Sequence, residues 1–201
     1  MLEIFTAACG LIQSILILMK KKENWVFYLL NIGALTLYSF YVHLWGDVVE
    51  NIVYVLFGVL GLCTWYSQKV AKKIIGDEKI KYCSNKERIF YLVMFLVISG
   101  GMYIWLLNTN DPMPFLDAIT TGMGFTATLS MALKRVESWI IWFVDDIIMA
   151  YIYFMLPGTG FWLMLLNIIW VVLAVGSFIT WHKEAMKNKK SRNVSNVSLE
   201  I

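Results

Sequence analysis

Every lysine and arginine in this 201-residue chain falls in one of four places, and each place adjoins a long apolar stretch. Seven such stretches can be cut, at about 3–19, 25–44, 48–66, 89–107, 115–133, 139–156 and 161–181. Each is near the ~20 residues that a helix needs to cross a bilayer. Lys20–Lys22 place three positive charges after the first stretch, and the joint at 67–88 carries seven. Lys134 and Arg135 supply two more, and the tail beyond Trp181 holds five, which accounts for all 17. These are alternate joints, so seven spans put every basic residue on one side, whereas an even number would split them. The positive-inside rule makes that side cytoplasmic, with the N-terminus outside and the C-terminus inside.

Composition agrees with an integral membrane protein. The chain is 59% hydrophobic and 15% charged, against roughly 25% charged residues in soluble domains. A net charge of +3 gives no reason to expect a nucleic-acid partner. The first stretch lacks the basic start of a secretory signal and is expected to be retained. Cys9, Cys63 and Cys83 are odd in number, two within apolar stretches, and read as free thiols. No Cys-x-x-Cys and no metal-ligand cluster occurs, so neither metal nor cofactor is expected. The 67–88 joint reads as a solvated basic loop in preference to a headgroup-binding one. The tail beyond about residue 185 is expected to fray.

A repeat is also visible. NIVYVLFGVLGLCTW (51–65) and NIIWVVLAVGSFITW (167–181) share Asn-Ile starts and Thr-Trp ends. Upstream, KENWVFY (22–28) and VESWIIW (136–142) each place a Trp just after a charged joint. The expected fold is all-α: seven transmembrane helices in a 3+1+3 arrangement of two parallel three-helix repeats. The expected units are 1–66, a section of loop, linker helix and outer loop at 67–114, a second repeat at 115–183, and a polar cytoplasmic tail at 184–201. Parallel repeats of this kind are a transporter construction, with the ligand site between them near the midplane.

Polar residues within the apolar stretches mark the candidate site, because charges inside a bilayer cost a few kcal/mol and face a partner or a cavity. Glu50, Asp117, Asp145 and Asp146 lie in or at the edges of these stretches, with Asn31, Asn51 and Asn167, and no Lys or Arg shares a span with them. At 100° per residue, Trp139, Trp142, Asp146 and Tyr153 fall on one helix face, with Asp146 about 10 Å from Trp139. Asp145 points about 100° away, so the two Asp residues do not form a dyad. Asn51, Tyr54, Gly58, Gly61 and Trp65 make one stripe; Asn167, Trp170, Ala174, Ser177 and Trp181 make its counterpart. Small residues let helices approach, aromatics make walls, and the amides reach a polar ligand. A flat cationic ring would gain ~1–2 kcal/mol between Trp faces, and ribose hydroxyls would suit Asn and Asp. The plainer alternatives assign Trp25, Trp45 and Trp65 to an interfacial belt. They make Asn51, Asn167 and Asp146 interhelical hydrogen-bond partners, and turn Thr120, Thr121, Thr126 and Thr128 onto their own helix backbone. His43 reads as interfacial. Gly58, Gly61 and Gly176 are candidate pivots, and Pro157 is a helix stop.

The block PFLDAITTGMGFTATLSMALKRVESWIIWFVDDI (114–147), with NWVFYLLNIGALTLY (24–38) and the closing NIIWVVLAVGSFITW, resembles the PnuC family of vitamin transporters. Asp-Ala-x-Thr-Thr and Trp-x-x-Trp are its more specific parts. The resemblance implies a fold like a full-length SWEET sugar transporter. It also implies uncoupled import of nicotinamide riboside, or in relatives of thiamine, riboflavin or a deoxynucleoside, with trapping by a cytoplasmic kinase. It further implies a multi-pass protein of the inner (cytoplasmic) membrane, and it allows a homotrimer. Its aromatic pair matches Trp139 and Trp142, and its Asn-x-x-Trp matches Asn167 and Trp170. Asn51 stands where a Gln is expected, Asp146 where an Asn is, and Ser177 where a Gly is. Tyr28, Asn31, Asp117, Thr121 and Tyr54 complete the candidate substrate-binding set. A membrane-embedded enzyme using Asp145 and Asp146 is a distant alternative, since adjacent helical residues diverge. A purely structural or receptor-like subunit is a third.

Overall fold

The computed structural model describes residues 2–41, 45–75, 79–109, 111–155 and 161–197, and these are built from eight helices with no named strand. In chain order they are α1 Leu2–Leu18, α2 Asn24–Tyr41, α3 Trp45–Tyr66, α4 Gln68–Ile75, α5 Asn85–Leu106, α6 Pro114–Ala132, α7 Ser138–Met155 and α8 Phe161–Val197. The seven apolar stretches correspond to the seven long helices. His43 and Pro157 lie outside the described residues, as do the side chains of Trp45 and Arg192. By length and composition α5, α7 and α8 are apolar enough to cross a membrane, and α1–α3 contain shorter apolar stretches, Ile4–Leu18, Asn24–Leu37 and Glu50–Tyr66.

Two expectations are corrected. The 67–88 joint is not all loop: it holds α4, where Lys69, Lys72 and Lys73 stay exposed while Ala71 is buried. The tail does not fray at 185, because α8 continues to Val197. Ala, Lys, Glu and Met are good helix formers, and Glu184 and Asn188 are pinned to other segments. Lys20 Nζ meets Glu184 Oε2 at 3.2 Å, and Asn188 Nδ2 donates to the Ile80 carbonyl at 3.0 Å.

Packing pairs α1 with α2, α2 with α3, α6 with α7, and α7 with α8. Between these triads, α1 meets α8 and α3 meets α6. Exchanging α1–α3 for α6–α8 maps that pattern onto itself. The remaining long helix, α5, packs along α6. With neighbours on three sides, α6 is built of small residues, and from Ala118 to Ala132 most of its side chains are buried. A Cβ at Gly122 would lie 2.1 Å from Ser99 Oγ, which is how closely α5 approaches.

The basic joints meet at one end of the molecule. Lys22 Nζ sits 4.4 Å above the Tyr66 ring, and Lys134 Nζ 5.1 Å above the Trp65 ring. At this end Ser84 caps α5 in a capping box with Glu87. Glu87 Oε1 also accepts from Arg135 Nε at 2.9 Å, and Arg135 is 3% exposed. Glu137 receives the Cys83 N–H at 2.9 Å and Arg88 at 3.0 Å. The Tyr82 hydroxyl contacts His182 Nδ1 on α8. All three cysteines are free thiols. Burial first, then the Glu137 carboxylate, push the Cys83 thiol up to about 12, so it stays protonated at neutral pH.

Just inside this end lies a chain of four indoles. Ring centroids are 6.4 Å apart for Trp25–Trp65, 5.9 Å for Trp65–Trp181 and 5.4 Å for Trp181–Trp139. Trp25 and Trp181 are fully buried, so the interfacial-belt assignment of Trp25 is corrected; Trp65 is half-buried beneath Lys134 at the basic end. Glycine makes room for them: a Cβ on Gly61 would lie 2.4 Å from three Trp25 ring atoms, and one on Gly58 within 2.9 Å of Tyr28. Ring atoms fixed in a close-packed cluster cannot swing aside as a flexible tip would. Gly61→Ala is expected to destabilise the protein by about 1–3 kcal/mol, as overpacking does, read as a lower melting temperature in detergent. A melting curve unchanged by the substitution would contradict this packing.

Candidate functional site

Between the two triads runs a cavity of about 800 Å³. At one end its wall includes Trp139, Met131 and Ile17, directly inside the indole chain; at the other it includes Thr109, Asp111 and Pro112 of the α5–α6 joint. α5 connects these two levels, running from the Glu87–Arg135 pair to that joint, ~33 Å at 1.5 Å per residue.

All eleven sequence-predicted site residues line this one cavity. Tyr28 and Asn31 come from α2, and Asn51 and Tyr54 from α3. Asp117 and Thr121 come from the outer half of α6. Trp139, Trp142 and Asp146 come from α7, and Asn167 and Trp170 from α8. Parts of the two sequence stripes face the cavity, Asn51 and Tyr54 on one side and Asn167, Trp170, Ala174 and Ser177 on the other, whereas Gly58 and Gly61 pack on α2 and Trp65 packs on Trp181.

Their hydrogen bonds separate groups that build the wall from groups that remain available. Asn31 Nδ2 donates to the Thr6 carbonyl at 2.7 Å and ties α2 to α1. Asn167 Nδ2 donates to the Leu163 carbonyl of its own helix at 2.8 Å, so it is not an interhelical clasp. Its Oδ1 is thereby left free to accept from a ligand. Tyr54 donates to Glu50 Oε1 at 2.6 Å, and Thr121 to Glu50 Oε2 at 3.3 Å. Thr120 and Thr126 do turn onto their own helix, bonding to the carbonyls of Asp117 and Gly122. Asp146 is 3% exposed and makes no hydrogen bond or ion pair to another described residue. The Nε1 atoms of Trp139 and Trp170 are buried without a protein acceptor among the described residues.

Sequence reasoning missed part of the wall. Thr6, Gln13 and Ser14 of α1 line the cavity, as does Asp145. The cavity covers more than 100° of α7, so both aspartates reach it even though they diverge. Thr6, Gln13 and Ser14 are polar side chains in a largely apolar first stretch, and that was the available signal.

The charge on the wall is one-sided. Glu50, Asp111, Asp117, Asp145 and Asp146 line the cavity, and none of the described lining residues is Lys, Arg or His. The Lys20–Glu184, Arg88–Glu137 and Arg135–Glu87 ion pairs all sit at the basic end. No cluster of three or more metal-ligating side chains occurs among the described residues. Acids and indoles around the cavity can hold a flat cation, with amides and carboxylates placed for hydroxyl groups.

The chain matches the family model described as the nicotinamide mononucleotide transporter over residues 1–183. It belongs to that transporter family. It is 25% identical, over 184 residues, to a protein of Neisseria mucosa named nicotinamide riboside transporter PnuC; the match covers 88% of this chain and 70% of the relative. In fold it is similar to a solved structure described as the crystal structure of the vitamin B3 transporter PnuC. There the TM-score is 0.75 at 20% identity, covering 92% of this chain and 82% of the other. The PnuC resemblance is thereby shown, and the chain is a multi-pass membrane transporter rather than an enzyme built on Asp145 and Asp146.

Proposed function

We propose that this transporter is a facilitator for a small cationic nucleoside, nicotinamide riboside, which it passes through the cavity between the two triads. The observation that carries this is the cavity wall: five carboxylates and four indoles (Trp105, Trp139, Trp142 and Trp170), with no basic side chain among the described lining residues. Nicotinamide riboside offers a pyridinium ring to the indoles of Trp139, Trp142 and Trp170, worth ~1–2 kcal/mol as a desolvated cation–π contact. Its ribose hydroxyls suit Asn51, Asn167 and Asp146, and Tyr28, Asn31, Tyr54, Asp117 and Thr121 complete the shell. The name carried by the Neisseria mucosa relative supports the same substrate.

The proposed membrane topology is seven spans in 3+1+3 parallel repeats, with α5 as the linker and α4 on the cytoplasmic surface. The exchange pattern of helix contacts supports it. So does the indole chain, since Trp25 and Trp65 stand in the first repeat where Trp139 and Trp181 stand in the second. The N-terminus is then outside the cytoplasmic membrane and the C-terminus inside. Passage has one repeat rock against the other, with the indole chain as the cytoplasmic closure. Uptake is completed by a cytoplasmic kinase that phosphorylates the nucleoside and keeps it in the cell.

The test is a titration of purified protein, followed by tryptophan fluorescence, with nicotinamide riboside, thiamine, riboflavin and a panel of deoxynucleosides. Saturable micromolar binding of nicotinamide riboside is expected. Binding of thiamine or a deoxynucleoside in its place would reassign the substrate within the same fold. Trp142→Ala and Asn167→Ala are each expected to weaken binding by roughly ten- to thirtyfold. Normal affinity in both variants would overturn the placement of the substrate.

A further inference from the structure

We propose that Asp145 is the counter-charge to the substrate's fixed positive charge and sets the preference of the cavity for cationic over neutral nucleosides. This rests on the cationic substrate class proposed above. The acids of the wall differ in what already engages them. Glu50 accepts from the hydroxyls of Tyr54 and Thr121. Asp111 Oδ1 accepts the Met113 N–H at 2.7 Å and shapes the outer joint. Asp117 stands in the first turn of α6, where the helix dipole favours a carboxylate.

Asp145 has no such partner. It is 5% exposed, and its Oδ1 is occluded without a hydrogen bond among the described residues, yet the residue forms part of the cavity wall. Its charged neighbours are Asp146 and Glu50, both acids. A buried carboxylate needs a donor or a cation beside it. No described residue bonds to Asp145 Oδ1 and no described lining residue is Lys, Arg or His, so the counter-charge arrives with the ligand. Asp146 has a different position, about 100° around α7 on the face of Trp139, Trp142 and Tyr153. From there it addresses the part of the ligand that lies along the indoles. Asp145 approaches from the Glu50 side and sees the charge rather than the stack.

The probes are nicotinamide riboside and its 1,4-dihydro form, which keeps the ribose and the ring size but lacks the positive charge. Both are titrated calorimetrically into the full-length protein in detergent. The wild type is expected to prefer the cation by roughly tenfold or more. Asp145→Asn keeps the side-chain shape and is expected to remove that preference. Cation affinity should fall about tenfold while the neutral form changes by less than about twofold. Asp145→Glu is expected to retain the preference. Equal losses for both probes in Asp145→Asn would show a packing role and overturn the assignment. So would an unchanged preference, or its loss in Asp146→Asn instead. A wild-type protein that binds neither probe would overturn the cationic substrate class itself, an outcome separable from all of these.

Discussion

Nicotinamide mononucleotide is expected to bind at least about a hundredfold more weakly than nicotinamide riboside, a difference of about 2.7 kcal/mol. The two ligands differ by one phosphate, which brings close to two negative charges and several strong acceptor oxygens. Inside this cavity it would meet five carboxylates and no basic side chain among the described lining residues. Like charges in a partly desolvated site repel strongly, and an unpaired buried phosphate is costlier still. The family description names the mononucleotide and the Neisseria mucosa relative the riboside; the sign of the wall favours the riboside. Competition titration of the two ligands checks this. Comparable affinities would mean that the phosphate finds a cation, and that the acid-lined wall does not select the ligand.

The second large effect is expected far from the cavity. Arg135→Leu should cost about 2–3 kcal/mol of stability. The guanidinium side chain is 4% exposed and reaches Glu87 Oε1, while Nη1 donates to the Leu133 carbonyl at 2.6 Å. Its loss leaves Glu87 with the Ser84 cap alone. The Glu87 side chain is 30% exposed, and solvent screening there keeps the cost below that of breaking a fully buried pair. Burial pulls the Glu87 carboxyl up, but the Ser84 N–H, the Arg135 guanidinium and the Ser84 hydroxyl together hold it below its ordinary value of 4.5. A carboxyl lowered in the folded state contributes stability above its unfolded pKa and loses it as pH falls through the folded one. The gap in melting temperature between wild type and Arg135→Leu should therefore be full at neutral pH and narrow below about 4.5. A gap that stayed constant on acidification would contradict an electrostatic origin.

Much of the molecule was legible before its structure, for identifiable physical reasons. A bilayer forces each span to be long and apolar, and seven long helices follow the seven stretches. Polar groups are so costly there that Asn31, Asn51, Asp146 and Asn167 stood out, and helical spacing put Trp139, Trp142 and Asp146 on one face. All of them line the cavity. The features that were not legible depend on neighbours. Trp25 follows a basic joint as an interfacial residue would, but it is buried because Gly61 on α3 leaves space for its ring. α4 lies in a basic segment whose composition suits a loop as well as a helix. The extension of α8 follows from its contacts with Lys20 and Ile80, far away in sequence. Periodicity separates Asp145 from the face of Asp146 because it describes one helix at a time, whereas the width of a cavity is set by several, and both line it.

The central claim is movement of a cationic nucleoside through this cavity without an energy source. Its most direct measurement is uptake of labelled nicotinamide riboside into liposomes containing the purified protein alone, with no nucleotide and no ion gradient. The expected result is saturable entry that stops when inside and outside concentrations are equal, and that is slowed by Trp142→Ala. Liposomes holding folded protein that admit no more label than empty ones would contradict the account.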